Sequence, residues 1–169
     1  VEPYYILSKK HQLLTIIDNT FLTPYLSTPL EEGADIVLHS ATKYIGGHND
    51  VLAGVVTVKD AQLAEQLNQF HNMIGATLSP LDSYLLQRGL KTLHLRIERS
   101  QENAQKLAQR CRQSDSIDEV LYSGRTGMLS LRLNQAYSVA KFLENLDICI
   151  LAESLGGTET FITFPYTQT

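Results

Sequence analysis

The sequence predicts an α/β fold followed by a small α+β segment, and three observations carry that expectation. Three short apolar runs, LLTIID (13–18), ADIVLHS (34–40) and VLAGVVTV (51–58), stand near the start of the chain. They are of strand length and apolar at both alternating positions, the pattern of strands buried on both faces in a sheet covered by helices. A helix-rich stretch follows, to about residue 112. From 113 onward the order is strand, strand, helix and then strands again over roughly 55 residues, which suits a small α+β domain. The expected division is therefore 1–112, ending in a long connecting helix, and 113–169.

Each element has a local reason. LLTIID ends in Asp18, and ADIVLHS runs into the polar His39 and Ser40. Asp60 is placed to cap or begin AQLAEQLNQFHNM, and Ser79-Pro80 starts LDSYLLQRGLKTL with proline in the first helical turn. Arg96 to Arg112 contains no glycine or proline and reads as helix. Beyond it, IDEVLYS and GMLSLRL read as strands, AYSVAKFLENL as a helix, and DICILAE and TETFITF as strands again. No repeat or low-complexity stretch interrupts this order.

Composition narrows the function classes. The 169 residues are 43% hydrophobic and 19% charged, the balance of a globular chain with a sizeable core. Net charge is −4 with Lys and Arg dispersed, so no nucleic-acid-binding face is expected. The apolar runs fall far short of the ~20 residues of a membrane helix. Val1 opens directly into a polar, tyrosine-bearing segment, so no signal peptide is expected. Cys111 and Cys149 form no metal-type or redox-type pair and read as free thiols of a cytoplasmic protein. Histidines 11, 39, 48, 71 and 94 show no HxxxH or HExxH spacing, so no metal is expected.

The chemistry concentrates in HSATKYIGGH (39–48). In open α/β sheets ligands sit beyond the carboxyl ends of the strands. Asp18 ends the first run and Lys43 follows the second by a few residues, so neighbouring strands would bring both to one crevice. A carboxylate there can keep a heteroaromatic nitrogen protonated, while an amine forms a Schiff base with an aldehyde, the pair that pyridoxal phosphate requires. Ser40 and Thr42 offer hydroxyls to phosphate oxygens, and Gly46-Gly47 lets the backbone turn sharply. Each feature also has an ordinary explanation. A strand-end aspartate caps turns, a loop lysine is solvated, a Gly-Gly pair merely turns, and His39 and His48 pack or hydrogen-bond.

The stretch DNTFLTPYLSTPLEEGADIVLHSATKYIGGHNDVLAGVV resembles the core of the Cys/Met-metabolism family of pyridoxal-phosphate enzymes. The resemblance continues through GATLSPLDSYLLQRGLKTLHLRIERSQENA, GMLSLRL and AESLGGTETFITFPYTQT, nearly the whole chain. It implies a fold type I pyridoxal-phosphate-dependent transferase: a large mixed-sheet cofactor domain with helices on both faces, plus a small C-terminal α+β domain, both incomplete in this chain. It implies that Lys43 is the Schiff-base lysine and proton shuttle, and that Asp18 pairs with the ring nitrogen. Ser40 and Thr42 would contact the phosphate, and Thr20 would lie by the ring. Ser154 would help bind the substrate carboxylate, Thr169 would stand at the substrate end of the pocket, and Glu153 would tune substrate preference.

The family resemblance is nearest to bacterial cystathionine γ-synthase and O-acetylhomoserine thiol-lyase enzymes. It implies transsulfuration in methionine and cysteine metabolism, with small amino acids as substrates and γ-replacement on O-acylhomoserine by cysteine or sulfide. Cystathionine γ- or β-lyase elimination is the alternative, and a truncated non-catalytic relative a further one. Tyr166 stands where a small residue is common in the family. The resemblance also implies a homotetramer of dimers with shared active sites. With an ordinary pKa of about 10.4 a lysine amine is almost wholly ammonium at pH 7, and condensation as an imine removes that charge. Family members run to roughly twice this length. Tyrosines and arginines that complete the cofactor and substrate sites lie outside the present segment. VEPYYILSKKHQ is too short for the loop and helix expected there, so the chain is expected to be a fragment or a set of ordered segments. On its own it is expected to be inactive and without bound cofactor.

Overall fold

The computed structural model describes residues 2–167. Backbone contacts divide the chain into two compact units, one running through Lys91 and one starting at Thr92. By these contacts the long helix groups with the second unit.

In the first unit, α1 (Glu2–Lys10) precedes β1 (Ile16–Asp18), and two short helices, α2 (Thr23–Leu26) and α3 (Pro29–Glu32), lead to β2 (Ile36–Ser40). β3 (Gly54–Val58), α4 (Ala61–Ile74) and α5 (Pro80–Leu90) complete it. β2 is central: β1 joins it in parallel with Ile16 opposite Ile36 and Asp18 opposite Leu38, and β3 joins it antiparallel with Ser40 opposite Gly54. The sheet is mixed, as the resemblance implies. Tyr5 of α1 packs with Ala34, Val37, Ile17 and Leu30, while Leu86 of α5 packs with Ala41, Ile45, Val51 and their neighbours.

Burial on both faces holds for β2 but not for its neighbours. β1 and β3 are the edges of the three-stranded sheet, so Ile16 and Val56 are more than half exposed. Leu13 and Leu14, counted in the first run, precede β1 and are also exposed. An apolar run reports strand propensity; its depth depends on what else pairs with it.

The helix signals act as expected. The Asp60 carboxylate accepts from Leu63 N–H at 2.7 Å, and Gly75 ends α4 at a φ of +75°. The Ser79 hydroxyl accepts from Asp82 N–H at 3.1 Å, with Pro80 opening α5. In the second unit, α6 (Leu93–Cys111) buries Leu93, Ile97, Ala104, Ala108 and Cys111, one apolar stripe at helical spacing. β4 (Ile117–Leu121) and β5 (Ser130–Leu133) pair antiparallel, followed by α7 (Val139–Glu144). β6 (Ile150–Leu151) and β7 (Phe161–Ile162) pair in parallel. The expected strands form two separate pairs rather than one sheet.

Asp35 locks the β1–β2 register. Thr15 donates its N–H and its hydroxyl to one Asp35 oxygen, each at 2.7 Å, and Asp35 N–H donates back to that hydroxyl at 3.2 Å. These bonds from Thr15 hold the Asp35 carboxyl below its ordinary pKa, with a smaller contribution from Lys9. Because the folded-state value is lowered, the stabilisation is present above the unfolded carboxyl value of ~3.9 and is lost as pH falls through the folded one. Asp35→Ala is therefore expected to cost about 1–3 kcal/mol at pH 7 in chemical denaturation. The difference from wild type should shrink below about pH 4; an undiminished difference in strong acid would contradict this role.

Candidate active site

The parallel register puts Asp18 opposite Leu38, so Asp18 projects from the same sheet face as Leu38 and Ser40, at the carboxyl ends of two adjacent strands. Thr20 joins them. Its N–H donates to Asp18 Oδ1 at 3.0 Å, and its hydroxyl oxygen accepts from Ser40 N–H at 2.7 Å. The hydroxyl proton is then directed to the Asp18 carboxylate, and this bond is the first cause of a lowered Asp18 pKa; the Thr20 N–H is the second. Thr20 is buried while Asp18 is exposed, so the carboxylate stands ionised and open at the strand end, fixed from behind.

Asn19, between them, carries no functional expectation from the sequence, yet it is 4% exposed and fully engaged. Its N–H donates to Leu38 O at 2.9 Å, continuing the ladder past β1. Its side-chain amide donates to Thr23 O and Ser27 O, at 3.1 and 3.0 Å. Thr23 itself is buried at a φ of +61°, a strained conformation for a β-branched residue. The signal for this region was a run of polar residues, Asp-Asn-Thr, directly after an apolar strand.

Residues 41–47 fold into one tight turn. Lys43 N–H donates to Ser40 O at 3.1 Å, Gly46 N–H to Ala41 O at 2.8 Å, and Gly47 N–H to Lys43 O at 2.8 Å. Lys43 is half-buried on this turn. The two glycines serve different needs. Gly47 has a φ of +74°, whereas a Cβ on Gly46 would come within 2.8 Å of Val51 Cγ1 and 2.9 Å of Ala41 O. His48 Nδ1 bonds Gly46 O at 2.8 Å.

The two hydroxyls expected at a phosphate differ. Thr42 Oγ1 accepts from Ala53 N–H at 3.0 Å and donates to Ala53 O at 3.3 Å. With the Thr42 N–H donating to Ala53 O at 3.2 Å, it carries the β2–β3 pairing past Ser40. The Ser40 hydroxyl makes no hydrogen bond among the described residues and keeps its donor available. His39, on the opposite face of β2, is 7% exposed with Nδ1 buried and unpartnered. Burial pushes its pKa down and outweighs the Asp18 charge and an Asn19 backbone bond, leaving a neutral ring at pH 7.

Glu153 and Ser154 belong to the second unit and follow β6 after Ala152; Glu153 is exposed and Ser154 half-buried. Thr169 lies outside the described residues.

An ionised carboxylate, an available hydroxyl and a lysine turn at the carboxyl ends of adjacent strands define a site for an anionic, heteroaromatic aldehyde, the donor set pyridoxal phosphate needs. The profile of Cys/Met metabolism PLP-dependent enzymes matches residues 2–169. The chain belongs to this family, whose cofactor is pyridoxal phosphate, and the resemblance read from its motifs is borne out. It is 57% identical over 163 residues to cystathionine gamma-synthase/O-acetylhomoserine (thiol)-lyase of Bacillus subtilis, covering 96% of this chain and 44% of that protein. It is 46% identical over 179 residues to cystathionine beta-lyase of Lactococcus lactis subsp. cremoris, covering 96% and 47%. The solved structure of cystathionine gamma-lyase from Lactobacillus plantarum, complexed with L-serine, superposes with a TM-score of 0.94 at 38% identity, over 99% of this chain and 48% of that one. That of cystathionine gamma synthase from Xanthomonas oryzae pv. oryzae, with aminoacrylate and cysteine, gives 0.93 at 39%, over 99% and 48%. The expected fold type I architecture is thereby established. The chain spans about half the length of these relatives.

Proposed function

We propose that the protein containing this chain catalyses γ-replacement on an O-acylhomoserine, with cysteine or sulfide as the incoming thiol, giving cystathionine or homocysteine. The observation that carries this choice is the 57% identity to the B. subtilis cystathionine gamma-synthase/O-acetylhomoserine (thiol)-lyase, against 46% to the L. lactis beta-lyase.

In this reading Lys43 is the catalytic residue. Pyridoxal phosphate held at this site would supply an electron sink for the pair left when the substrate Cα proton departs. Lys43 Nζ, as a neutral amine, would remove the proton from the substrate Cα. Once it has passed that proton on, the same amine would take a second from Cβ as the γ-substituent leaves with its bonding electrons, and the incoming thiol would add at Cγ and give up its proton. Asp18, held ionised by Thr20, would keep a positive ring nitrogen in place, and Thr20 would lie by the ring. The Ser40 hydroxyl donates to the phosphate. Thr42 joins it by exchanging its Ala53 carbonyl partner for a phosphate oxygen. Ser154 and Thr169 hold the substrate carboxylate, and Glu153 sets preference among side chains. The domain division at 112/113, a homotetramer with shared active sites and a cytoplasmic location belong to the same reading.

Elimination by a cystathionine γ- or β-lyase is the second reading, favoured by the 46% identity to a beta-lyase. The test is a product assay on the intact protein offered O-acetylhomoserine with cysteine, and separately cystathionine. Thioether formation from the first mixture is the expected result. Keto acid and ammonia released from cystathionine, with no thioether formed, would overturn γ-replacement in favour of the lyase.

A further inference from the structure

We propose that Gly89, in the last turn of α5, is a positioning residue for Lys43, acting through the Ile45–Gly46 backbone; this rests on Lys43 being the cofactor lysine.

A glycine inside a helix costs about 1 kcal/mol relative to alanine, so its presence needs a reason. Conformation is not the reason, because Gly89 lies within α5 and has no positive φ. Close approach is. A Cβ on Gly89 would overlap the Gly46 carbonyl oxygen outright, and would stand 2.6 Å from Ile45 O and 3.0 Å from Gly46 C. These are backbone atoms, which cannot swing aside like a side-chain end. Gly46 has little room of its own, since Val51 Cγ1, Ala41 O and, at 3.7 Å, Leu86 of α5 already surround the space a Cβ would need. The turn is wedged between α5 and the start of the segment leading to β3.

The wedge reaches Lys43 because the turn is bonded as a unit. Gly46 N–H holds Ala41 O, Gly47 N–H holds Lys43 O, and Lys43 N–H holds Ser40 O at the end of β2. A push on Gly46 therefore moves the Lys43 backbone or breaks one of these bonds. An alanine at 89 forces a separation on the order of 1 Å. A displacement of that size in a reacting group can cost about 10²-fold in rate.

The test compares wild type, Gly89→Ala and the exposed neighbour Leu90→Ala in the intact protein. The readouts are cofactor affinity and the pH midpoint of the visible band of lysine-bound cofactor, with circular dichroism and melting to establish folding. Gly89→Ala is expected to fold, bind cofactor at least about 10-fold more weakly and shift the midpoint, while Leu90→Ala changes neither. A folded Gly89→Ala with a lowered melting temperature but unchanged affinity and midpoint would overturn the proposal, reducing Gly89 to a packing residue. Should Gly89→Ala fail to fold, Leu86→Ala loosens the same seat without overlap. A change of affinity or midpoint there supports the proposal, and wild-type values overturn it. A wild type showing no lysine-bound band would overturn the functional reading itself and this inference with it.

Discussion

Lys43→Ala in the intact protein is expected to remove both the visible band of lysine-bound cofactor and turnover. Loss of the proton transfers alone accounts for about 10²–10⁴-fold in rate, and loss of the covalent attachment adds to it. Lys43→Arg separates charge from chemistry. It keeps a cation on the same turn but cannot condense with an aldehyde, so it is expected to be as inactive as alanine. Neither change should unfold the protein, because the turn is held by backbone bonds from Lys43 N–H and to Lys43 O that any residue can make. Retained turnover in either variant would defeat the catalytic assignment.

Asp18→Asn is the second large effect. The substitution keeps an oxygen to accept from Thr20 N–H at the strand end, but loses the charge that holds a positive ring nitrogen. A hydrogen bond to a charged group is worth about 1.5–3 kcal/mol, so cofactor affinity is expected to fall by roughly 10- to 100-fold, with kcat falling further because the ring accepts electrons less well when neutral. Thr20→Val should move the same properties in the same direction by a smaller amount. It removes the hydroxyl that bonds Asp18 and accepts from Ser40 N–H, and Thr20→Ser should restore them. Wild-type cofactor affinity in Asp18→Asn, measured by equilibrium titration, would rule out the pairing with the ring.

Much of this site is legible in the sequence because its parts are local. Asp18 and Ser40 end two apolar runs, and one parallel pairing is enough to bring them together. Asp60 and Ser79 act as caps within three residues of their partners. What escaped the sequence depends on contacts distant along the chain. The Thr42 hydroxyl points to Ala53 because the β2–β3 register brings that backbone alongside, and nothing near Thr42 announces it. Gly89 shows only as an odd glycine in a helix until α5 is seen against Gly46. Ile16 and Val56 are exposed on the outer strands of a chain that spans about half of its relatives' length, and apolar periodicity does not encode what covers them. Asn19 carries no expectation from the sequence, although its amide holds two carbonyls and its N–H extends the ladder.

The claim that Lys43 is the cofactor lysine is tested most directly by chemical trapping. The intact protein is loaded with pyridoxal phosphate, reduced with borohydride, digested and mapped by mass spectrometry. The expected result is a single stoichiometric pyridoxyl adduct on the peptide containing HSATKYIGGH, at Lys43. An adduct on another lysine, such as Lys59 or Lys91, or no stable adduct at all, would contradict it.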